Sequence, residues 1–386
     1  MARTSSSAAR PTGSRLRTSC PLFAAALALL AGCAAAAQQH GYWQLLDQEL
    51  VRRGLDPSEV VLPYRLSEEM RQWVHEVVPK KLPRQQKLDR LVAALLDAEQ
   101  LKLEYVWGHT GTAAEVFERR EANCLAFTNL FVGMARELGV PVHFLAVENV
   151  ASYRRAGDLV VISDHVAVGF GQRLELRVYD FSAEASEKSL EGLRRISDLT
   201  ALAMFHSNRG AEALQQGTAE PAIDWLETAV KLDPSLPNAW VNLGVGRRRV
   251  GDAAGAETAY KRALELDPRI YSAYQNLASL LYYEGRAEEA QEYEQTLRRS
   301  PTRNPYTFLA LGDISFRSGR LDEARRFYRR AVHLSKDDAE SLAALGEVAA
   351  VTGDLRLARK MLRKARKLDD DNRRALRLAK RVEAAS

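Results

Sequence analysis

Residues 237–268, PNAWVNLGVGRRRVGDAAGAETAYKRALELDP, carry a pattern of small residues that recurs through the second half of the chain. One series is spaced strictly at 34 residues and comprises Gly217, Gly251, Gly285, Gly319 and Gly353. A fixed period of this length is typical of repeat architectures, in which each repeat is one supersecondary unit. This stretch therefore decides the fold class of the second half of the chain, an array of stacked repeats.

Three further series keep the same period and the same phase. They are Gly210, Gly244, Ala278, Gly312 and Gly346; Ala222, Ala256, Ala290, Ala324 and Ala358; and Ala229, Ala263, Ala331 and Ala365, with Leu297 in the missing position. The pattern predicts two amphipathic helices per unit, with small residues where the helices cross and glycine at the turn. Asp-Pro pairs at 233–234 and 267–268 end the second helix of their units.

These features resemble the tetratricopeptide repeat, which implies five copies over residues 203–372, stacked into an all-α superhelix with a concave surface. Residues 373–386 follow, and we expect them to form a capping helix over the last repeat. The segment from Arg359 to the end of the sequence has eleven basic and four acidic residues. It is either a solvated face or a contact for an anionic lipid or polymer.

In tetratricopeptide arrays the first helix of each pair lines the concave groove, so the resemblance implies a binding site for a protein or peptide. Asn208, Asn242 and Asn276 are again 34 residues apart and would form a ladder of amides along this groove. An amide both donates and accepts hydrogen bonds, which suits the backbone of an extended peptide. The alternative is that asparagine is simply common at this position of the repeat. The remaining candidates for partner binding are Arg248, Arg249, Tyr282, Tyr283, Phe316 and Arg317.

The composition of the 386-residue chain excludes several classes of protein. Hydrophobic residues make up 46% and charged residues 27%, which excludes a disordered, collagenous or multi-spanning membrane protein. Of the 55 basic residues, four arginines lie in residues 1–32, a segment without any acidic residue. The rest of the chain has 51 basic and 50 acidic residues, so its charge gives no support to a nucleic-acid partner.

Residues 1–32 combine these arginines with a short apolar run and are predicted to be a signal peptide. A run of about ten apolar residues is too short to span a bilayer but suits such a signal. The sequence Leu30-Ala31-Gly32-Cys33 resembles the lipobox of bacterial lipoproteins, which implies a lipid on Cys33 and a tether over residues 33–64. With Ala34 next, the resemblance implies a periplasm-facing protein anchored in the bacterial outer membrane. The alternative is an ordinary secretory signal with an incidental cysteine.

Cysteine usage excludes a scaffold held by disulfides. Of the three cysteines, Cys20 lies in the signal segment and Cys33 is assigned to the lipid, which leaves Cys124 alone. A lone thiol in an oxidising compartment is expected to be either buried or used in chemistry.

The sequence around Cys124 predicts a region of mixed helices and strands over residues 65–190. After Cys124, apolar residues recur at helical spacing up to Leu138. Residues 142–147 then predict a strand, and the alternating residues on both sides of Gly171 predict a hairpin.

This region resembles the transglutaminase-like superfamily, whose fold is related to that of papain-type cysteine peptidases. The motifs that carry the resemblance are a cysteine at the start of a buried helix, a histidine opening a strand, and an aspartate closing the next strand. They correspond to Cys124 in REANCLAFTNLF, His165 in SDHVAVGF and Asp180 in RVYDFS. The resemblance implies an α+β domain with a catalytic triad formed by these three residues.

The register of the predicted hairpin supports this triad independently of the resemblance. A two-residue turn at Gln172 and Arg173 places His165 directly opposite Asp180, on the same face of the hairpin. The aspartate would then orient the imidazole and stabilise its protonated form.

Two classes of function remain open from the sequence. Cys124 at a helix N-terminus beside an imidazolium would carry thiolate character, so the first is a lipid-anchored, cysteine-dependent enzyme. It would transfer the acyl group of an amide to water or an amine, for which we expect no metal and no cofactor. In the second, Cys124 is a buried core residue with His109 or His143 as an accidental neighbour. The protein is then a non-catalytic outer-membrane scaffold or assembly factor that acts through its repeats.

Overall fold

The computed structural model of the protein describes residues 41–106, 108–156, 159–171, 175–181 and 192–384. The predicted signal peptide, the lipidated Cys33 and the hairpin turn at Gln172 and Arg173 lie outside the described residues. The chain divides into two compact units, Met1–Arg52 and Arg53–Ser386. In the first unit, residues 41–52 form helix α1. No helix in the described part of the chain is both long enough and apolar enough to cross a membrane.

The second unit begins with a region in which helices and strands alternate. Its helices are α2 (Glu68–Val77), α3 (Arg84–Leu96), α4 (Ala113–Arg119) and α5 (Cys124–Glu137). Its strands are β1 (Glu104–Tyr105), β2 (Glu121–Ala122), β3 (His143–Ala156), β4 (Leu159–Phe170), β5 (Arg177–Tyr179) and β6 (Leu193–Ile196). The predicted α+β character of this region is confirmed.

Side-chain caps begin three of these helices. Ser67 Oγ accepts a hydrogen bond from a backbone N–H in the first turn of α2. Thr112 and Glu115 form a capping box at the start of α4. Asn123 Oδ1 accepts a hydrogen bond from the Ala126 N–H at 2.9 Å at the start of α5. Each cap satisfies a backbone donor that the helix leaves unpaired, so these residues set where the helices begin.

Strands β3 to β6 form one antiparallel sheet in the order β5-β4-β3-β6, while β1 and β2 pair in parallel. Strand β3 extends beyond the strand predicted at 142–147, because it pairs with β4 as far as Ala156. Helix α5 packs on the sheet, where Thr128 Oγ1 donates to the Val166 carbonyl at 3.3 Å. Twelve of the fourteen residues of α5 are buried, so it is the central helix of this region.

Five helix pairs follow the sheet. They are α6 (Asp198–Gln215) with α7 (Ala219–Leu232), α8 (Pro237–Arg249) with α9 (Ala253–Leu266), α10 (Tyr271–Tyr283) with α11 (Ala287–Arg299), α12 (Pro305–Arg317) with α13 (Leu321–Leu334), and α14 (Ala339–Val351) with α15 (Leu355–Leu368). The prediction of an all-α repeat array after a mixed region is confirmed.

The two glycine series of the repeats have different physical causes. The glycines of the turns have φ between +72° and +85°, and they are Gly217, Gly251, Gly285, Gly319 and Gly353. Only glycine adopts this left-handed conformation without strain. Gly244 lies instead where two helices cross, and a Cβ there would be 2.5 Å from the ring of Tyr260. One series therefore shapes the turn, and the other allows the helices to approach each other.

A last helix, α16 (Arg373–Ala384), packs on the fifth pair. Its Leu378 and Val382 form an apolar cluster with Ala349 and Ala358 of that pair. Because each repeat buries its apolar face only against a neighbour, α16 covers the face that a sixth repeat would otherwise cover.

Candidate active site

Cys124 is the first residue of α5 and directly follows the capping residue Asn123. Its thiol is free, and the residue is 5% exposed. The backbone N–H groups of a first helical turn have no partner within the helix. They also form the positive end of the helix dipole, which favours a negatively charged sulfur at this position.

His165 lies on β4 and contacts both other members of the predicted triad. Its Nε2 donates to Asp180 Oδ2 at 2.6 Å, and its ring also hydrogen-bonds with Cys124. Since Nε2 is used by the carboxylate, we assign Nδ1 to the bond with the thiol. The side chains of His165 and Asp180 are only 10% and 12% exposed. The structure thus brings the three residues together in the order thiol, imidazole, carboxylate.

Burial and charge act in opposite directions on the pKa of His165. Burial lowers this pKa, because a protonated ring loses solvation in the interior. The hydrogen bonds and negative charges of Asp180 and Cys124 outweigh burial and raise the pKa of His165 to about 10. The imidazole is therefore protonated at neutral pH, between the sulfur of Cys124 on one side and the carboxylate of Asp180 on the other.

Two aromatic residues on either side of Asp180 hold its segment against α5. Phe181 stacks on Phe127 with ring centroids 4.4 Å apart, and Tyr179 stacks on Phe131 at 5.2 Å. Such stacked pairs stabilise a structure beyond the apolar area that they bury. They fix the aspartate on the helix that carries the thiol, a role that the sequence analysis did not assign to them.

The register of β4 and β5 differs by two residues from the predicted one. Val168 pairs with Tyr179, and continuing this register places Asp180 beside Ala167. The prediction that His165 lies directly opposite Asp180 is wrong, because the last pair of this hairpin encloses six residues and not two. Alternate residues of a strand share one face, so His165 is a diagonal neighbour of Asp180 and still reaches it.

The other two histidines considered in the sequence lie elsewhere. His109 Nδ1 is 3.9 Å from Glu212 Oε2, and His143 begins β3. Burial, and then the charge of Arg195, lower the pKa of His143, so its ring is neutral at neutral pH. Among the described residues, the imidazole that hydrogen-bonds with the thiol belongs to His165.

The residues that support the start of α5 were not among the predicted site residues. Asn123 Nδ2 donates to Thr110 Oγ1 at 2.9 Å, while its Oδ1 caps the helix. An asparagine before a helical run is a known cap signal, so this role of Asn123 was visible in the sequence. Its contact with Thr110 was not, because the two residues are 13 positions apart and belong to no common element.

The first helices of the repeat pairs line a cavity of about 370 Å³. Four of the predicted partner-binding residues contribute to its lining: Arg248, Asn276, Phe316 and Arg317. Acidic and basic side chains from later helices also line it, namely Asp313, Glu340, Arg374 and Arg377. The cavity therefore combines charges of both signs with an amide and an aromatic ring.

The other five predicted partner-binding residues do not line this cavity. Three of them use their polar groups within the array: Asn242 donates to Ser207 at 3.1 Å, Arg249 to the Leu214 carbonyl, and Tyr282 to Glu294 at 2.6 Å. The other two are Tyr283, which is exposed, and Asn208, which is half-buried on α6. Asn242 and Arg249 thus link adjacent repeats.

Family models match both parts of the chain. Residues 71–159 match the model of the transglutaminase-like superfamily. Residues 259–292, 277–341 and 315–382 match three models of the tetratricopeptide repeat. The chain therefore carries a transglutaminase-like domain followed by tetratricopeptide repeats, as predicted. The repeats support a protein-interaction role, and the domain is compatible with a cysteine-dependent enzyme.

Several solved structures are similar to part of the chain. The structure of pilF from Pseudomonas aeruginosa is 22% identical with a TM-score of 0.40, over 47% of this chain and 83% of that one. A thermophilic tetratricopeptide-repeat protein from Thermus thermophilus is 23% identical with a TM-score of 0.42, over 47% and 98%. YrrB, a tetratricopeptide-repeat protein with an unusual peptide-binding site, is 20% identical with a TM-score of 0.32, over 46% and 92%. No curated protein matches the chain.

Proposed function

We propose that the protein is a cysteine-dependent acyl-transfer enzyme that acts on an amide bond, with a repeat array that binds a protein or peptide. The observation that carries the proposal is the hydrogen-bonded chain from Cys124 through His165 to Asp180. Taking a pair of charges out of water costs several kcal/mol per ion. A cysteine that only fills the core gains nothing from such a pair, whereas a nucleophile is activated by it.

In the first step the Cys124 sulfur attacks the carbonyl carbon of the amide, and a carbon–sulfur bond forms. The carbonyl oxygen takes up negative charge, which the backbone N–H groups at the start of α5 stabilise. The proton on His165 Nδ1 passes to the amide nitrogen, the carbon–nitrogen bond breaks, and the amine leaves. Asp180 stabilises the imidazolium before this transfer and keeps the ring oriented throughout.

In the second step water or a second amine attacks the carbonyl carbon of the thioester. The neutral His165 takes the proton of this nucleophile at Nδ1, the carbon–sulfur bond breaks, and the thiolate is restored. Water as the nucleophile gives hydrolysis, and an amine gives a new amide. Both reactions use the same three residues, so the triad is compatible with either.

The repeats supply the surface for the partner in this proposal. Arg248 and Arg317 offer charge, Asn276 an amide and Phe316 an apolar ring to the same cavity. A peptide presents complementary groups to all of them: carboxylates, backbone amides and apolar side chains. A protein or peptide is therefore the class of partner that this lining fits.

A non-catalytic scaffold that acts through its repeats is the second candidate function. The observation that favours it is burial, since Cys124 and His165 are only 5% and 9% exposed. In that case the transglutaminase-like domain is structural, and removing the thiol leaves partner binding unchanged.

Labelling of Cys124 by an electrophilic amide-type probe distinguishes the two functions. The rate at neutral pH is compared among the wild type, His165→Ala and His143→Ala, a half-buried histidine of the same sheet. Loss of general acid–base assistance lowers a rate by about a hundredfold or more, which we expect for His165→Ala alone. Equal labelling of the wild type and His165→Ala, or none in folded wild type, would sink the enzyme proposal.

We also propose that a lipid on Cys33 anchors the protein in the outer membrane, facing the periplasm. The support is the sequence Leu30-Ala31-Gly32-Cys33 after an apolar run of signal-peptide length. Cys33→Ser removes the sulfur that carries the lipid, so we expect this variant to leave the membrane fraction. Cys20→Ser is the matched control and should stay membrane-bound. A Cys33→Ser protein that remains in the membrane with unaltered processing contradicts the proposal.

A further inference from the structure

The first repeat helix contacts the segment that precedes the candidate active site. Glu212, near the end of α6, accepts a hydrogen bond from the Thr110 N–H at 2.6 Å, although the two residues are 102 positions apart. Arg209, one turn earlier, donates to the Thr110 carbonyl at 3.4 Å. The backbone of Thr110 is thus held on both sides by the array, and the residue is 1% exposed.

The side chain of Thr110 also forms a hydrogen bond with Asn123, the residue that caps α5. Asn123 Nδ2 donates to Thr110 Oγ1 at 2.9 Å, and Asn123 Oδ1 accepts from the Ala126 N–H at 2.9 Å. Because both ends of the Asn123 amide are in use, its side chain has one orientation. Asn123 directly precedes Cys124, so this orientation sets the position of the thiol and of the free N–H groups of α5.

Charged side chains lie close to the carboxyl group of Glu212 that binds Thr110. Burial raises the pKa of Glu212 above its ordinary value, and the hydrogen bonds from Thr110, followed by the charges of Arg209 and His109, offset only part of that rise. His109 Nδ1 lies 3.9 Å from Glu212 Oε2, and Arg209 Nη1 lies 3.6 Å from Glu115 Oε1 on α4. The hydrogen bond from the Thr110 N–H is short and largely removed from water, and a buried donor left without its acceptor is costly, so this contact is suited to fixing the segment.

We infer that Glu212 is a positioning residue for Cys124, and that the repeat array thereby completes the active site. The inference rests on the proposed function and adds to it a residue from outside the transglutaminase-like domain. We call the chain Glu212, Thr110 and Asn123 the cap relay; its members act through the start of α5 and touch no reacting atom. Positioning of this kind matters because a displacement of about 1 Å can slow a reaction about a hundredfold.

A direct contact between α5 and α6 offers a matched control. Arg136, near the end of α5, donates two hydrogen bonds to Asp198 at the start of α6, at 2.8 and 2.9 Å. This pair also joins the array to α5, but it lies at the end of α5 away from Cys124. A variant that breaks it removes a link between the domains without touching the cap relay.

The test measures the alkylation rate of Cys124 against pH, with a melting curve, for full-length wild type, Glu212→Ala, Thr110→Val and Asp198→Ala. Thr110→Val removes Oγ1 and leaves the backbone bond to Glu212 in place. We expect Glu212→Ala and Thr110→Val to lower the rate at neutral pH about tenfold, the effect of one lost hydrogen bond. Their profiles should move toward higher pH, as in His165→Ala. Glu212→Gln keeps an acceptor oxygen and should recover most of the rate.

Asp198→Ala should lower the Tm by about as much as Glu212→Ala does. Its alkylation rate should keep the pH profile of the wild type. The inference is overturned if Glu212→Ala and Thr110→Val keep that profile, or if Asp198→Ala shifts it as much as they do. Either result leaves His165-dependent reactivity, and with it the proposed function, intact. A folded wild type that is not alkylated below about pH 9, where a free thiol already reacts, overturns both. If Glu212→Ala does not fold, Thr110→Val decides the question alone.

Discussion

The repeat array and the transglutaminase-like domain are held together in opposite ways. In the array one contact recurs, since Gly244 against Tyr260 and Gly312 against Tyr328 are the same helix crossing in two repeats. In the domain each contact occurs once, as between His165 and Asp180. A repeated contact repeats its signal in the sequence, and a single contact leaves no such trace.

The array and the domain also differ in how much of the protein a single substitution affects. Each repeat contacts only its neighbours, so a change in one repeat acts on one or two interfaces of the array. A change at a single-copy contact of the domain removes that contact from the whole protein. We therefore expect the largest effects at buried charges and the smallest at recurring glycines.

The first prediction concerns the buried charge pair of the domain. The pKa of His165 is raised to about 10 from an ordinary value of 6.5. A raised folded-state pKa stabilises the protein fully below the unfolded value, and that stabilisation is lost as the pH rises through the folded value. The difference in free energy of unfolding between wild type and His165→Ala should therefore shrink between pH 6.5 and 10, by up to about 5 kcal/mol.

Denaturant unfolding at a series of pH values measures this difference. His143→Ala is the matched control, because the pKa of His143 is lowered and its ring stays neutral through this range. Its difference from wild type should stay constant as the pH rises. If the difference in free energy of unfolding between wild type and His165→Ala also stays constant, the ion pair does not contribute to stability. The domain would then not depend on a buried charge pair.

The second prediction concerns a buried charge cluster in the array. The side chain of Arg374 on α16 is 7% exposed and lies 2.6 Å from Glu347 and 2.7 Å from Asp313. Arg374→Ala removes the buried guanidinium that these carboxylates share, and breaking a buried pair in this way costs about 3–5 kcal/mol of unfolding free energy. Arg366→Ala breaks an exposed pair with Asp370 and should cost less than about 1 kcal/mol.

Denaturation of the full chain with both variants checks this contrast. Equal costs for Arg374→Ala and Arg366→Ala would mean that the buried charge cluster of Arg374 contributes no more to stability than an exposed pair. The expected result would show that even a periodic array depends on a contact that occurs once, next to its last repeat.

The third prediction tests the periodicity itself. Gly244→Ala places a methyl group against the Tyr260 ring and should cost about 1–3 kcal/mol through overpacking. Gly312→Ala meets Tyr328 in the same way and should match it within about 0.5 kcal/mol. Gly251→Ala has open space around the new methyl but a φ of +85°, so only the backbone strain of about 1 kcal/mol applies. Thermal and denaturant unfolding measure all three.

Unequal costs for Gly244→Ala and Gly312→Ala would show that this helix crossing differs between repeats and is not one recurring contact. A larger cost for Gly251→Ala than for Gly244→Ala would reverse the causes assigned to the two glycine series.

The sequence predicted the array well because its helices pack mainly within one repeat or against an adjacent repeat. The repeats were predicted from residue 203, and the helix that contains this residue, α6, begins at Asp198. Ser197 caps this helix, and a cap is a local signal that the 34-residue period does not contain.

The hairpin of the domain shows why the register was harder to predict. Side chains of a strand alternate between two faces, so a shift of two residues leaves every side chain on the same face. The observed pairing of Val168 with Tyr179 and the predicted pairing therefore fit the alternating pattern equally well. The length of the connection distinguishes them, and no pattern in the strands records that length.

The sequence alone predicted the order of the two regions, the period of the repeats, and the helix that follows Cys124. It also singled out Cys124, His165 and Asp180 as candidates for one site. These features depend on residues that are near in sequence or that recur at a fixed spacing, so a local or periodic pattern contains them.

Which nitrogen of His165 bonds to Asp180, and which residues contact the cap of α5, depends on tertiary contacts that the sequence pattern does not contain. The bond between Thr110 and Glu212 spans 102 positions and joins the mixed region to the first repeat helix. Such a contact exists because two separately packed parts of the chain meet in one arrangement. The pattern within each part determines how that part folds, but the geometry of their meeting depends on the shapes of both surfaces.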